Sequence, residues 1–197
     1  FRNDALWVTY HVITGFEVDP TSFQVTFIYG LPRVHSAELR GRGPSDVGPF
    51  DAGQTLPLEG ALLDVSVGPS GETLVAFTRA VGSGAQNRPI AICHDPNGRT
   101  GGLGFSCSTT TFDTGASTFP DISIRYDRSA ATSARAYLAY SRKSSSTSRA
   151  DLFLRSCDTA STPACSSAAS WSTAQAVSDD SNDADQSLPA MDVDPAS

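Results

Sequence analysis

Apolar and polar residues alternate along most of this chain in short runs, broken every few residues by Gly, Pro, Ser, Thr or Asp. A period of two marks strands that bury one face. The first run, Ala5-Leu6-Trp7-Val8-Thr9-Tyr10-His11-Val12-Ile13, is rich in the branched and aromatic side chains that suit a pleated surface. A second theme then recurs. Phe16-Glu17-Val18-Asp19-Pro20 matches Met191-Asp192-Val193-Asp194-Pro195 in type at every position, and Leu63-Asp64-Val65-Ser66-Val67-Gly68-Pro69 is a third version. Pro120-Asp121-Ile122-Ser123-Ile124-Arg125-Tyr126-Asp127 is the fourth. Aligning Val18, Val67, Ile124 and Val193 gives unequal intervals close to the ~40–50 residues of a propeller blade plus insertions.

The run that follows repeats as well. Phe23-Gln24-Val25-Thr26-Phe27, Thr73-Leu74-Val75-Ala76-Phe77 and Ala136-Tyr137-Leu138-Ala139-Tyr140 occupy one place in three units. Residues 129–143 contain good helix formers, but the repeat sets Leu138 where Val25 and Val75 fall, so a strand is predicted. Val18, Val67, Ile124, Val193, Val25, Val75 and Leu138 are the predicted buried positions. Late in each unit stands an aromatic residue. Phe50-Asp51-Ala52-Gly53 resembles Phe112-Asp113-Thr114-Gly115, and Trp171 takes that place in the third unit.

Four strands between successive copies of one signal outline a blade that cannot cover its own faces and must stack on neighbours. The expected fold is an all-β propeller of four-stranded antiparallel blades, with about three blades visible and the ring incomplete. In this division residues 1–14 end a preceding blade, and residues 15–60, 61–117 and 118–187 are blade units. Residues 188–197 begin another.

Composition narrows the function classes. The formal net charge is −7, and Lys143 is the sole lysine among 14 basic residues. That balance lacks the footprint of a nucleic-acid binder, and no apolar run reaches the ~18 residues of a membrane-spanning helix. Four Cys fall in two close pairs, Cys93/Cys107 around an Asp-Pro-Asn-Gly turn and Cys157/Cys165 further on. Neither pair has the spacing of a zinc site. Two local hairpin disulfides and a secreted, periplasmic or cell-surface location are expected. His11, His35 and His94 are isolated, without a His-Glu-x-x-His or Gly-x-Ser-x-Gly pattern. Asp179, Asp180, Asp183 and Asp185 could supply oxygens to Ca²⁺, but their spacing is not that of an EF-hand, and a solvated acidic linker is the expected reading.

Ser156-Cys157-Asp158, returning to Ser170-Trp171-Ser172, resembles the Asp-box hairpin of sialidase-like propellers, stretched by the insertion that carries Cys165 and lacking the Gly of the box. The resemblance implies a structural hairpin away from any catalytic face. Sialidase catalysis would further require three converging Arg, a Tyr nucleophile with a Glu partner, and an acid/base Asp. Arg79, Arg125, Arg135 and Arg155 stand outside the Arg-Ile-Pro motif of that family, and Glu17, Glu38, Glu59 and Glu72 have no Tyr partner in sequence. The expectation is therefore a binding or structural module for a protein, a glycan or another copy of itself. A glycan-cleaving propeller and a repeat subunit of a surface assembly are the alternatives.

Overall fold

The structure, a computed structural model, describes residues 5–41, 43–79, 88–100, 104–108, 112, 114–115, 121–128, 135–143, 145, 148–159, 165–177, 185–186 and 188–193. Its described residues form strands and three short 3-10 turns, with no α-helix among them. Three four-stranded antiparallel sheets and one two-stranded ribbon make up the architecture.

The second and third sheets are simple meanders. In the second, β7 (Gly60–Val67), β8 (Thr73–Arg79), β9 (Ile90–Asp95) and β10 (Ser106–Cys107) pair in chain order. The third repeats the plan with β11 (Ile122–Tyr126), β12 (Arg135–Lys143), β13 (Ala150–Asp158) and β14 (Gln175–Ala176). The segment with helical propensity, β12, is a strand paired along its whole length with β13, because tertiary pairing outweighs a weak local preference.

The first sheet departs from the predicted division. β1 (Ala5–Tyr10) pairs with β4 (Arg33–Leu39), whose other edge carries β5 (Val47–Phe50) and β6 (Gln54–Thr55). Residues 5–10 thus belong to the same sheet as residues 33–55 and do not close a preceding one. Between them, β2 (Ile13–Val18) and β3 (Val25–Tyr29) form a separate two-stranded ribbon. Val18 and Val25, predicted as buried, are 48% and 53% exposed there, and Phe16 and Phe23 are more exposed still. Alternation made both strands, but among the described residues no sheet packs over them. Of the other predicted positions, Val75, Ile124 and Leu138 are fully buried, while Val67 and Val193 are half-buried.

Packing explains the buried set. Val75, Phe77, Ala91 and Cys93 on one face of the second sheet meet Val34, Leu56 and Trp7 of the first. The opposite face, through Leu74, Ala76, Ile90 and Ile92, meets Ile124, Leu138 and Tyr140 of the third. Strand alternation lets a single sheet serve both neighbours. Phe112 and Trp171, aromatic residues from corresponding late positions, meet edge to face with ring centres 5.9 Å apart. Phe50, at the corresponding place in the first sheet, is exposed.

The shared Phe-Asp-x-Gly motif has a backbone reason. Gly53 and Gly115 both adopt positive φ, +73° and +63°. A Cβ on Gly53 would run into the His35 ring, and one on Gly115 into the Lys143 carbonyl. Only glycine suits both positions. Asp51 pins its turn by accepting hydrogen bonds from the backbone N–H groups of Ser36 and Gly53 and from the Ser36 hydroxyl.

Disulfides join Cys93 to Cys107 and Cys157 to Cys165. The first links directly opposed residues of β9 and β10. The second ties β13 to the turn before Ala168–Ser170, and there Trp171 donates its indole N–H to the Cys165 carbonyl at 2.8 Å. Trp171 also bridges back to Cys157, and the Ser172 N–H donates to the Ser156 carbonyl.

Candidate functional site

The leading strands of the three sheets draw together, with β7 beside both β1 and β11. An edge strand such as β11 would leave a row of backbone N–H groups without partners. Side chains of β7 supply them instead. The Asp64 carboxylate accepts from the Ile124 N–H at 2.9 Å, and the Ser66 hydroxyl accepts from the Tyr126 N–H at 2.9 Å. Asp64 also pairs with the Arg125 guanidinium at 2.7 Å, and Arg128 donates to the Val67 carbonyl at 2.8 Å. Asp64 and Ser66 alternate along β7 as the N–H groups of Ile124 and Tyr126 alternate along β11, so one period of two serves the other.

Against this seam lies a cavity of about 360 Å³, walled by β1, β7, the end of β11 with Arg128, and the C-terminal segment at Asp192 and Val193. Trp7 stands on its wall, braced edge to face against Phe105 at 6.1 Å. Ser66 and the guanidinium-bearing Arg125 and Arg128 supply polar groups. The Ser66 hydroxyl already accepts one hydrogen bond and keeps its proton for another partner. Charge at the wall is nearly balanced: Asp64 neutralises Arg125, and Asp192 offsets Arg128. The arrangement offers an aromatic surface beside oriented polar groups, the usual make-up of a small-molecule pocket.

Tyr126 lines the cavity beside Arg125 and Arg128. Its hydroxyl is buried without a hydrogen-bond partner among the described residues. Burial first, and then the charge of Glu72, push its pKa up. A phenol held protonated in this way is a poor nucleophile. The four candidate arginines stand on four strands. Arg125 is committed to Asp64, whereas Arg155 bonds the Tyr140 hydroxyl and the Ser172 carbonyl and lies over the Phe112 ring.

The histidines are spread across the sheets. His11 meets Tyr29 edge to face, and His35 stacks on Tyr10 while contacting the Asp51 carbonyl. His94 is half-buried on β9; burial lowers its pKa more than the charges of Glu72 and Asp95 raise it. Of the acidic quartet, Asp179, Asp180 and Asp183 lie outside the described residues. Asp185 accepts from the Ala150 N–H at 2.8 Å and pairs with Lys143 and Arg149. Those contacts, led by the backbone hydrogen bond, hold its pKa low. Among the described residues no group of three or more His, Cys, Asp or Glu is placed to hold a metal ion. No helix among them is long and apolar enough to cross a membrane.

Sequence reasoning did not single out Trp7, Ser66 or Arg128. The signal was present for Ser66, which shares the alternation of Asp64 one step further along the strand. Arg128 and Trp7 carry no motif and meet only through the fold. No family model, no curated protein and no solved structure matches this chain.

Proposed function

We propose that the three sheets are successive blades of a β-propeller, and that the protein is an extracytoplasmic binding module that holds a glycan in the cavity among its leading strands. Support for the blade reading comes from the repeated meander order, the stacking of consecutive sheets, and the convergence of β1, β7 and β11. Two disulfides support an oxidising location. The glycan reading rests on one observation, the cavity in which Trp7 stands beside the Ser66 hydroxyl and the guanidinium of Arg128 with little net charge. A sugar presents C–H faces to an aromatic ring and hydroxyls to such donors, and a neutral one needs no excess of charge at the wall.

Titration of the purified, oxidised chain with neutral oligosaccharides selected on a glycan array tests this. The expected result is saturable binding that falls by about tenfold or more, roughly 1.4 kcal/mol, in Arg128→Ala. Trp7→Ala should abolish it. An array on which no saccharide binds, or binding indifferent to both substitutions, rejects the reading.

A further inference from the structure

We infer that a second cavity, at the other end of the seam between β7 and β11, binds an ammonium group carried on an aliphatic chain. The site is independent of the glycan reading. It holds about 240 Å³ and is walled by Leu62 and Leu63 of β7, Asp121 and Ile122 at the start of β11, and Leu188 and Pro189. All of these side chains are apolar except one carboxylate.

That carboxylate lacks a cation where its counterpart has one. Asp64 accepts the Ile124 N–H and pairs with Arg125, the next residue along. Asp121 makes the first contact again: its Oδ2 accepts the Leu188 N–H at 3.0 Å. The next residue there is Pro189, which brings no charge. Among the described residues no Arg, Lys or His pairs with Asp121, and its second oxygen has no hydrogen bond. The backbone of Asp121 is meanwhile fixed, since it exchanges hydrogen bonds with Ser141 in both directions, each at 3.1 Å. A held carboxylate with one oxygen left over, set among apolar walls, is a place for a cation that the ligand supplies.

The walls are held in an unusual way. Only three described residues other than glycine take positive φ, and two of them, Leu62 at +51° and Leu188 at +58°, line this cavity. Bulky side chains seldom adopt that conformation. Leu62 lies in the register shift of β7 against β8, and a bulge re-aims the side chain it carries. Leu188 is 78% exposed, so burial of its side chain does not offset its backbone. Strain of this kind collects at ligand sites.

The chemistry selects among cations. A guanidinium binds best as a fork across both carboxylate oxygens, and one is already taken by Leu188. A compact ammonium needs one oxygen, and its methylene stem can lie along the leucines. The net charge of −7 favours the approach of a cation. A lysine side chain and a free alkylamine share this chemistry.

The experiment titrates n-pentylamine into the intact, oxidised chain and follows amide chemical shifts. Saturable binding is expected, with the Leu188 and Ile122 amides moving. n-Pentanol, n-pentanoate and n-pentylguanidine should each bind at least tenfold more weakly. Asp121→Asn keeps an acceptor for the Leu188 N–H but removes the charge, and should weaken pentylamine at least tenfold. Leu188→Gly suits the positive φ; it should keep its circular dichroism and lose affinity severalfold. Nα-Acetyl-lysine amide distinguishes the sources: if it binds as well, protein lysines are ligands, and if pentylamine alone binds, the site takes free amines. Absence of saturable pentylamine binding overturns the inference. So does equal affinity for the alcohol, the carboxylate or the guanidine, or undiminished binding in either folded variant.

Discussion

The ribbon of β2 and β3 and the seam of β7 and β8 carry the same pattern and have opposite fates. In the paired strands Val18 opposes Val25 as Val65 opposes Val75, two residues away from the Val18–Val67 match of the sequence, so Glu17 stands where Asp64 does. Yet Val25 is 53% exposed and Val75 is fully buried. Asp64 satisfies a neighbouring strand, whereas Glu17 is exposed on the ribbon. Alternation specifies that a strand forms and which residues share a face. Burial is decided by whether another sheet is available to cover that face.

The largest expected effect comes from making the same substitution in both places. Val75→Asp should lower stability by about 3–5 kcal/mol through an unpaired buried charge. Val25→Asp should stay within about 0.5 kcal/mol, the range of surface changes. Denaturant midpoints of the two variants make the comparison, and equal losses would remove the distinction between the regions.

Crosslinks separate the regions next, since each of the two stacked meanders holds a disulfide and the ribbon has no Cys. Replacing Cys93 and Cys107 together by Ser should cost about 3 kcal/mol in the chain-entropy account. The pair Cys157/Cys165 closes a shorter loop, 8 residues of separation against 14, and should cost about 0.5 kcal/mol less. Thermal unfolding of both double variants checks the order.

At the seam, Asp64→Ala strips partners from the Ile124 N–H and the Arg125 guanidinium, and should cost about 1–3 kcal/mol. Glu17→Ala, its counterpart on the ribbon, should change stability by less than about 0.5 kcal/mol. A double-mutant cycle with Arg125→Ala should show coupling for Asp64 and none for Glu17.

The smallest effects appear with pH. The Asp51 pKa is lowered: burial raises it, but hydrogen bonds from Ser36 and Gly53 and the charge of His35 outweigh burial. Its contribution is therefore present above the unfolded carboxylate pKa of about 3.9 and lost as pH falls through the lower folded value. Burial lowers the pKa of His94, so its contribution is full above the unfolded value of about 6.5 and declines as pH falls through the window below it. Asp51→Asn should flatten stability at the acid end, and His94→Gln should flatten it just below neutrality.

Much of the fold was legible in the sequence where local chemistry decides it. Alternation placed β8, β11 and β12, and spacing brought Cys93 near Cys107. The paired Phe-Asp-x-Gly motifs marked two turns that only glycine fits. What failed was the first sheet, because β1 returns to β4 across an inserted ribbon that imitates the repeat. Nothing local distinguishes a strand that pairs with the sheet from one that leaves it. The cavity was less legible again: Trp7, Ser66 and Arg128 come from three strands or their ends, and only the convergence of β1, β7 and β11 assembles them.

Amide hydrogen exchange on the native, oxidised chain compares the two regions in one experiment. Amides of β8 and β12 should exchange only through global unfolding, while those of β2 and β3 exchange through local opening with far smaller protection, as an isolated two-stranded ribbon should. Protection of the ribbon equal to that of β8 would contradict the account, because it would place residues 13–29 inside the cooperative core.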